Sequence, residues 1–213
     1  MEIFTFPLGP MDNNTYLVID EETRQAALVD PSFDSETLID EVRKRHCSVA
    51  YILNTHAHFD HVVGNAFWAR QTGAPIALHP LDIPLLETLP FQAERFGFAA
   101  EASPTPTILL QHNTTFHLGK TALQVKHTPG HAPGHVVFVA REAVICGDCL
   151  FKGSIGRTDL PGGDLPQLLK SIGEHLLVLP DNMRALPGHG PATTIGAERR
   201  NNPYLRSIVE AAQ

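Results

Sequence analysis

The segment Thr55-His56-Ala57-His58-Phe59-Asp60-His61 sets three histidines and a carboxylate within a few residues of one another, directly after the apolar run Tyr51-Ile52-Leu53. Imidazole nitrogens and carboxylate oxygens are the donors that divalent transition metals take. Side chains alternate along an extended segment, so His56 and His58 fall on one side of it, while Asp60 and His61 sit where the chain turns into a helix. One tight loop of this kind can serve two ions. A surface loop that is merely rich in histidine is the bland alternative. It loses ground once further histidines and aspartates recur in short Gly-containing turns downstream, at His131, Asp148 and His189.

The pattern His-x-His-x-Asp-His after a strand resembles the metallo-β-lactamase superfamily. The positions that family uses later in its chain are filled here by His131 in Thr128-Pro129-Gly130-His131, Asp148 in Cys146-Gly147-Asp148 and His189 in Pro187-Gly188-His189-Gly190, and the resemblance runs from about Asn14 to His189. It implies that His56, His58 and His131 hold one metal, that Asp60, His61 and His189 hold a second, and that Asp148 bridges them. The donors are nitrogen and oxygen without sulfur, which suits Zn first, with Fe and Mn also compatible. Two ions about 3.5–4 Å apart hold a bridging hydroxide that is nucleophilic at neutral pH, and Asp60 is placed to orient it. No G-x-S-x-G nucleophile motif competes with this mechanism.

The remainder of the chain reads as two β-rich halves. Strands are expected at 3–6, 15–19, 26–29, 49–54 and 74–78, with amphipathic helices at 34–45, 61–72 and 80–86. Residues 88–106, with Pro90, Pro104 and Pro106, read as a loop or short helix. Its Phe91, Phe96 and Phe98 are either a substrate wall or a satellite apolar cluster. Short strands follow at about 107–110, 114–117, 121–127, 135–140 and 142–146, then a helix at 164–177 and a strand at 184–186 leading to His189. Two β-rich halves, each ending in helices, fit two mixed sheets between outer helix layers, the αββα sandwich that the resemblance implies. A single domain over residues 1–213 is expected, with a short helical tail from about 195 to 213 broken at Asn202-Pro203.

A net charge of −7, from 16 basic and 23 acidic residues, leaves no cationic surplus for phosphates and argues against nucleic-acid binding. The amino terminus lacks a basic, apolar leader and no run approaches membrane-spanning length, so a cytoplasmic protein without membrane contact is expected. Cys146 and Cys149 form a C-x-x-C, read with Cys47 as free thiols in a reducing compartment. Oligomeric state is left open.

The run Gly147 to Asp159, containing Gly156-Arg157-Thr158-Asp159, resembles that of glyoxalase II-like thioesterases. In such enzymes a cation just beyond the bridging aspartate contacts a glutathione carboxylate, and Arg157 matches it. The structural alternative for Arg157 is an ion pair with Asp159 or Asp164. A small-molecule thioester such as S-lactoylglutathione is thus the expected substrate. Long glyoxalase II enzymes carry an additional C-terminal helical domain, whereas Glu198-Arg199-Arg200-Asn201-Asn202-Pro203-Tyr204 resembles the ending of short bacterial members. The alternative activity is an iron persulfide dioxygenase, which binds one Fe through positions matching His56, His131 and Asp148. His135 stands where many relatives carry a small hydroxyl residue, and His79 and His127 are read as supporting groups behind the ligands.

Overall fold

In the computed structural model, which describes residues 1–206 and 208, the first half forms β1 (Glu2–Leu8), β2 (Asn13–Ile19), β3 (Gln25–Val29), β4 (Ser48–Leu53), β5 (Ile76–Leu78) and β6 (Ile108–Leu109). These lie side by side in chain order, antiparallel from β1 to β3 and parallel from β3 to β6. The second half supplies β7 (Thr115–Leu118), β8 (Thr121–His127), β9 (Val136–Val139), β10 (Ala143–Gly147), the small hairpin β11 (Leu150–Phe151) and β12 (Ser154–Ile155), then β13 (Arg184–Pro187) and β14 (Thr193–Thr194). Its sheet runs β14-β13-β10-β9-β8-β7, with β10 and β13 parallel and the other neighbours antiparallel. The helices are α1 (Ile39–Lys44), α2 (Phe59–Val62), α3 (Asn65–Thr72), α4 (Ile83–Glu87), α5 (Leu89–Arg95), α6 (Leu165–His175) and α7 (Ile195–Asn201).

Alternation along the strands sorts their side chains into layers. Tyr16 and Val18 of β2 meet Val136 and Phe138 of β9 in one cluster shared by both sheets. Their neighbours Leu17 and Ile19 face Leu38 and Trp68 on the outside of the first sheet. Val137 and Val139 face Leu168 and Ile172 of α6, and Leu176 just after it, on the outside of the second. Stretches covered on both faces need apolar residues at every position, which is why residues 16–19 of β2, all of β9 and residues 143–146 of β10 read as hydrophobic runs. The result is the αββα sandwich of two mixed sheets.

Several elements differ from the sequence expectation. The helix expected at 61–72 is two helices, because the Gly64 N–H bonds to Pro31 O at 2.8 Å and a Cβ there would lie 2.4 Å from Ser35 Oγ. The helix expected at 34–45 begins as a 3-10 turn over Ser35–Leu38 before α1. Pro90 does not prevent α5, since it occupies the first turn, where no intrahelical N–H is required. The pair β11–β12 lacks the apolar length of an expected strand and closes through Lys152-Gly153, with Gly153 at φ 71°. The expected tail starts as α7, breaks at Asn202 and continues as a 3-10 turn over Pro203–Leu205. Ser207 and residues 209–213 lie outside the described residues. No helix among the described residues is long and apolar enough to cross a membrane.

Phe138 is fully buried between the sheets. Phe138→Ala should cost about 3–5 kcal/mol of stability, read from urea unfolding midpoints with the far-ultraviolet circular dichroism of the folded state unchanged.

Candidate metal centre

The strand β4 ends at Leu53, and the next residues are fastened to both sheets. Asn54 N donates to Ala77 O at 3.0 Å, while Val136 N of the second sheet donates to Thr55 O at 2.7 Å. His56 and His58 follow in this pinned loop, and α2 begins at Phe59 with Asp60 in its first turn. The other candidates come from the second half: His131 from the β8–β9 connection, Asp148 from the turn after β10, and His189 from the turn after β13. All seven residues are gathered at one edge of the sandwich.

The donor atoms of His56, His58 and His131 lie within 4.8 Å of one another, as do those of Asp60, His61 and His189. Asp148 stands between the triads: its Oδ1 is 3.4 Å from His61 Nε2, and its Oδ2 is 3.6 Å from both His131 Nε2 and His189 Nε2. A third grouping, Asp30 with His56 and His61, satisfies the same distance. The Asp30 oxygens, however, already accept from Thr55 N at 2.7 Å, Thr55 Oγ1 at 2.6 Å and His61 Nδ1 at 3.1 Å.

Hydrogen bonds behind the imidazoles fix which nitrogen faces inward. A carboxylate or carbonyl oxygen only accepts, so the Nδ1–H of His61 donates to Asp30, that of His131 to Arg157 O at 2.8 Å, and that of His189 to Met11 O at 3.0 Å. Thr55 gives its hydroxyl proton to Asp30 and accepts from His56 Nδ1 at 3.0 Å. Each of these four rings then presents its Nε2 toward the cluster. His58 Nδ1 and His131 Nε2 approach to 2.8 Å. Burial, reinforced by the neighbouring imidazoles, holds His56 well below its usual range and His58 at about 3.

Burial pushes the two carboxylates up, but His61 outweighs it, assisted at Asp60 by His189 and Asn13. Asp60 falls to about 2 and Asp148 lies well below the usual range. Conversely, burial lowers His61, yet Asp148 and Asp60 hold it well above an ordinary histidine. The cluster therefore concentrates lone pairs and negative charge in a site where a cation is electrostatically favoured. Three buried atoms, His56 Nε2, His61 Nε2 and Asp148 Oδ1, have no hydrogen-bond partner. Gly188 leaves the room: a Cβ there would lie 2.1 Å from Asp148 Oδ1 and 2.7 Å from His61 Cε1. By donor chemistry, orphaned atoms and space, these residues fit divalent metal.

Supporting residues complete the site, of which the sequence pointed to His79, His127 and His135 but not to Asn13, Asn14 or Asp82. Asn13 Nδ2 donates to Asp60 Oδ2 at 2.8 Å, and Asn14 Nδ2 donates to Pro187 O at 2.9 Å, so the start of β2 grips the His189 turn. Asp82 is fully buried and receives Ala57 N at 2.9 Å and Gly134 N at 2.5 Å, joining the ligand loops of both halves. His135 is buried with both nitrogens engaged, Nδ1 with Thr128 Oγ1 at 2.9 Å and Nε2 accepting from Asp148 N at 3.1 Å. It fixes the Asp148 backbone and has no nitrogen left for a metal. His127 Nε2 donates to Pro133 O at 2.8 Å and stacks on His79 at 4.1 Å.

Beside the cluster opens a cleft of about 800 Å³, lined by His58, Asp60, His131, Asp148 and His189 at its floor. Phe91 and Phe96 line its wall, whereas Phe98 packs with Phe33 and Phe59 in a small apolar cluster. Arg157 is at the rim with Nε and Nη2 each 2.7 Å from an oxygen of Asp159. The Cys146 and Cys149 thiols are free, buried against α6 and pushed up by burial, Cys146 to about 12.

Residues 8–189 match the sequence profile of the metallo-beta-lactamase superfamily. The chain is 37% identical over 211 residues to the hydroxyacylglutathione hydrolase GloC of Haemophilus influenzae, covering 97% of this chain and 99% of that protein. The solved structure of BLEG-1 B3 metallo-beta-lactamase is similar with a TM-score of 0.90 at 35% identity, over 96% of this chain and 100% of that one. TTHA1623, solved in a di-iron-bound form, is similar with a TM-score of 0.88 at 43% identity, over 95% and 100%.

Asp30→Asn replaces an acceptor by an amide that cannot take all three hydrogen bonds. Metal affinity should fall about 10–100-fold, measured by competition with a chromogenic chelator. Burial raises Asp82 to about 6, although its two backbone partners oppose this. As pH falls through that value the folded state takes up a proton that the unfolded chain does not bind until about 3.9. In the presence of chelator, the stability of the parent protein relative to Asp82→Asn should therefore rise between pH 7 and pH 4, as followed by urea unfolding.

Proposed function

The chain belongs to the metallo-beta-lactamase superfamily, and from that premise we propose that it is a binuclear metal-dependent hydrolase of small thioesters, of which S-lactoylglutathione is the representative. The observation that carries this reading is the carboxylate of Asp148 between two triads, with its Oδ1, His56 Nε2 and His61 Nε2 buried and without a protein partner. His56, His58 and His131 would hold one ion, Asp60, His61 and His189 the other, with Asp148 shared. When bound, the ions supply a water of lowered pKa as nucleophile and an electrophilic partner for the thioester carbonyl. Zn suits the nitrogen and oxygen donors; Fe suits them too, and the relative TTHA1623 has been solved with two irons.

The chain's own groups account for positioning. Asp60 is ionised, and Asn13 and His189 both approach its Oδ2, which leaves Oδ1 to accept a hydrogen bond from the attacking water and orient it. The Nδ1–H bonds to Asp30, Arg157 O and Met11 O make Nε2 the inward nitrogen of each ring and keep the rings from turning. Apolar residues of the cleft, Met11, Phe91, Phe96 and Phe151 among them, exclude bulk water around the acyl carbon. Attack forms the new C–O bond as the C–S bond breaks, giving a carboxylic acid and a thiol. The similarity to GloC supports a glutathione thioester, while Arg157, the cation that the sequence resemblance offers for its carboxylate, lines the cleft with two of its donors already on Asp159.

A mononuclear iron dioxygenase acting on a persulfide is the competing activity. It would leave His58, Asp60, His61 and His189 without ligand roles, although their donor atoms converge. The test is metal content by mass spectrometry on the purified protein, with assays of S-lactoylglutathione hydrolysis and of oxygen uptake with glutathione persulfide. About two ions per chain with thioester turnover are expected, and Asp148→Ala should lose both metal and turnover. One iron per chain with oxygen uptake would replace the hydrolase reading, and full activity in Asp148→Ala would overturn the two-metal assignment.

A further inference from the structure

Two guanidinium groups border the cleft, Arg157 on one rim and Arg95 on the other, and they are not equivalent. Arg157 spends its Nε and Nη2 donors on both oxygens of Asp159, so its charge is matched and one of its two bidentate edges is occupied. Arg95 has no hydrogen bond and no carboxylate within 4.0 Å among the described residues. It is mounted on α5, whose Leu89 and Ala93 are buried and whose Gln92 Nε2 donates to Ala57 O at 3.3 Å and Leu85 O at 2.7 Å. Helix and ligand loop are thus tied together, and Arg95 is carried on the helix that lines the cleft.

The surroundings of Arg95 define what it would recognise. Phe91 lies one helical turn before it, on the same helix face, and is 60% exposed despite its size. Phe96 follows directly and stacks on Phe59, the neighbour of Asp60, with centroids 4.9 Å apart. An apolar wall with an unpaired cation suits a molecule that carries an apolar group and a carboxylate. The opposite rim carries the paired Asp159, so negative charge is better accommodated on the α5 side.

Resting on the thioester reading for the reaction itself, we propose that Arg95 is the specificity-determining cation of the cleft. It selects thioesters whose thiol portion bears a carboxylate, while Arg157 is chiefly a partner of Asp159 that shapes the rim. The test uses the metal-loaded protein and two non-hydrolysable probes, S-hexylglutathione and its diethyl ester, with binding measured by calorimetry. The diacid should bind about tenfold more tightly than the diester. Arg95→Ala should erase that preference and leave diester affinity unchanged, Arg95→Lys should keep part of it, and Arg157→Ala should keep most of it. In turnover of S-lactoylglutathione, Arg95→Ala should raise KM with kcat held within about twofold.

A parent protein that binds neither probe, or binds both alike, overturns the proposal. So does a preference that survives Arg95→Ala, or one lost only in Arg157→Ala. If the preference follows Arg95 while no thioester is cleaved, the anion site stands and the thioesterase reading alone falls.

Discussion

Five imidazoles and two carboxylates, most of them buried, meet at one edge of the sandwich with their lone pairs directed at one another. Such an arrangement is unfavourable by itself. His58 Nδ1–H can donate to His131 Nε2 at 2.8 Å, but His56 Nε2 and Asp148 Oδ1 are buried without a partner, and the charges of Asp148 and Asp60 draw a proton toward His61. A divalent cation removes these conflicts together, because every inward atom is then a donor to positive charge. Much of the surrounding structure can be understood as the means of holding those donors against their mutual repulsion.

That restraint comes from both halves of the chain. Asp30, at the end of β3, anchors Thr55 and His61; Asp82, before α4, joins the loops of His58 and His131; Asn13 and Asn14, at the start of β2, hold Asp60 and the His189 turn. His135 supports the Asp148 backbone from the second sheet. The shared core between the sheets supplies the rigidity on which these bonds depend, since tightly packed apolar layers resist the small displacements that would spoil ligand distances. Glycine is required where the two halves come closest: at Gly188, any side chain would occupy the space beside Asp148.

The cleft adds selectivity to a reactive floor. Its aromatic wall is carried by α5, which is bonded to the ligand loop through Gln92. Substrate recognition and metal binding are in this way built on the same few elements. The division of labour between the two rim arginines follows from their neighbours rather than their chemistry. A guanidinium that has a carboxylate partner two residues away offers less to an incoming anion than one that has none.

The ligand constellation was legible in the residues themselves, because imidazole and carboxylate in the order His-x-His-x-Asp-His, followed by His131, Asp148 and His189, carry their chemistry in their identity. The layered fold was legible too, since strands buried on both faces, such as the one holding Tyr16-Leu17-Val18-Ile19, must be apolar where they are covered. Asp30, Asn13 and Asp82 carried no comparable signal: an aspartate before a proline or an asparagine in a turn is ordinary, and its use depends on which distant atom the fold brings within 3 Å or so. The break at Gly64, the role of His135 and the pairing of Arg157 were likewise fixed by tertiary contacts. By itself the sequence determined which donors are present and which segments are buried. Only the folded chain decided which donors remain free, because hydrogen bonds between residues far apart in sequence consume some polar atoms and leave others facing the site.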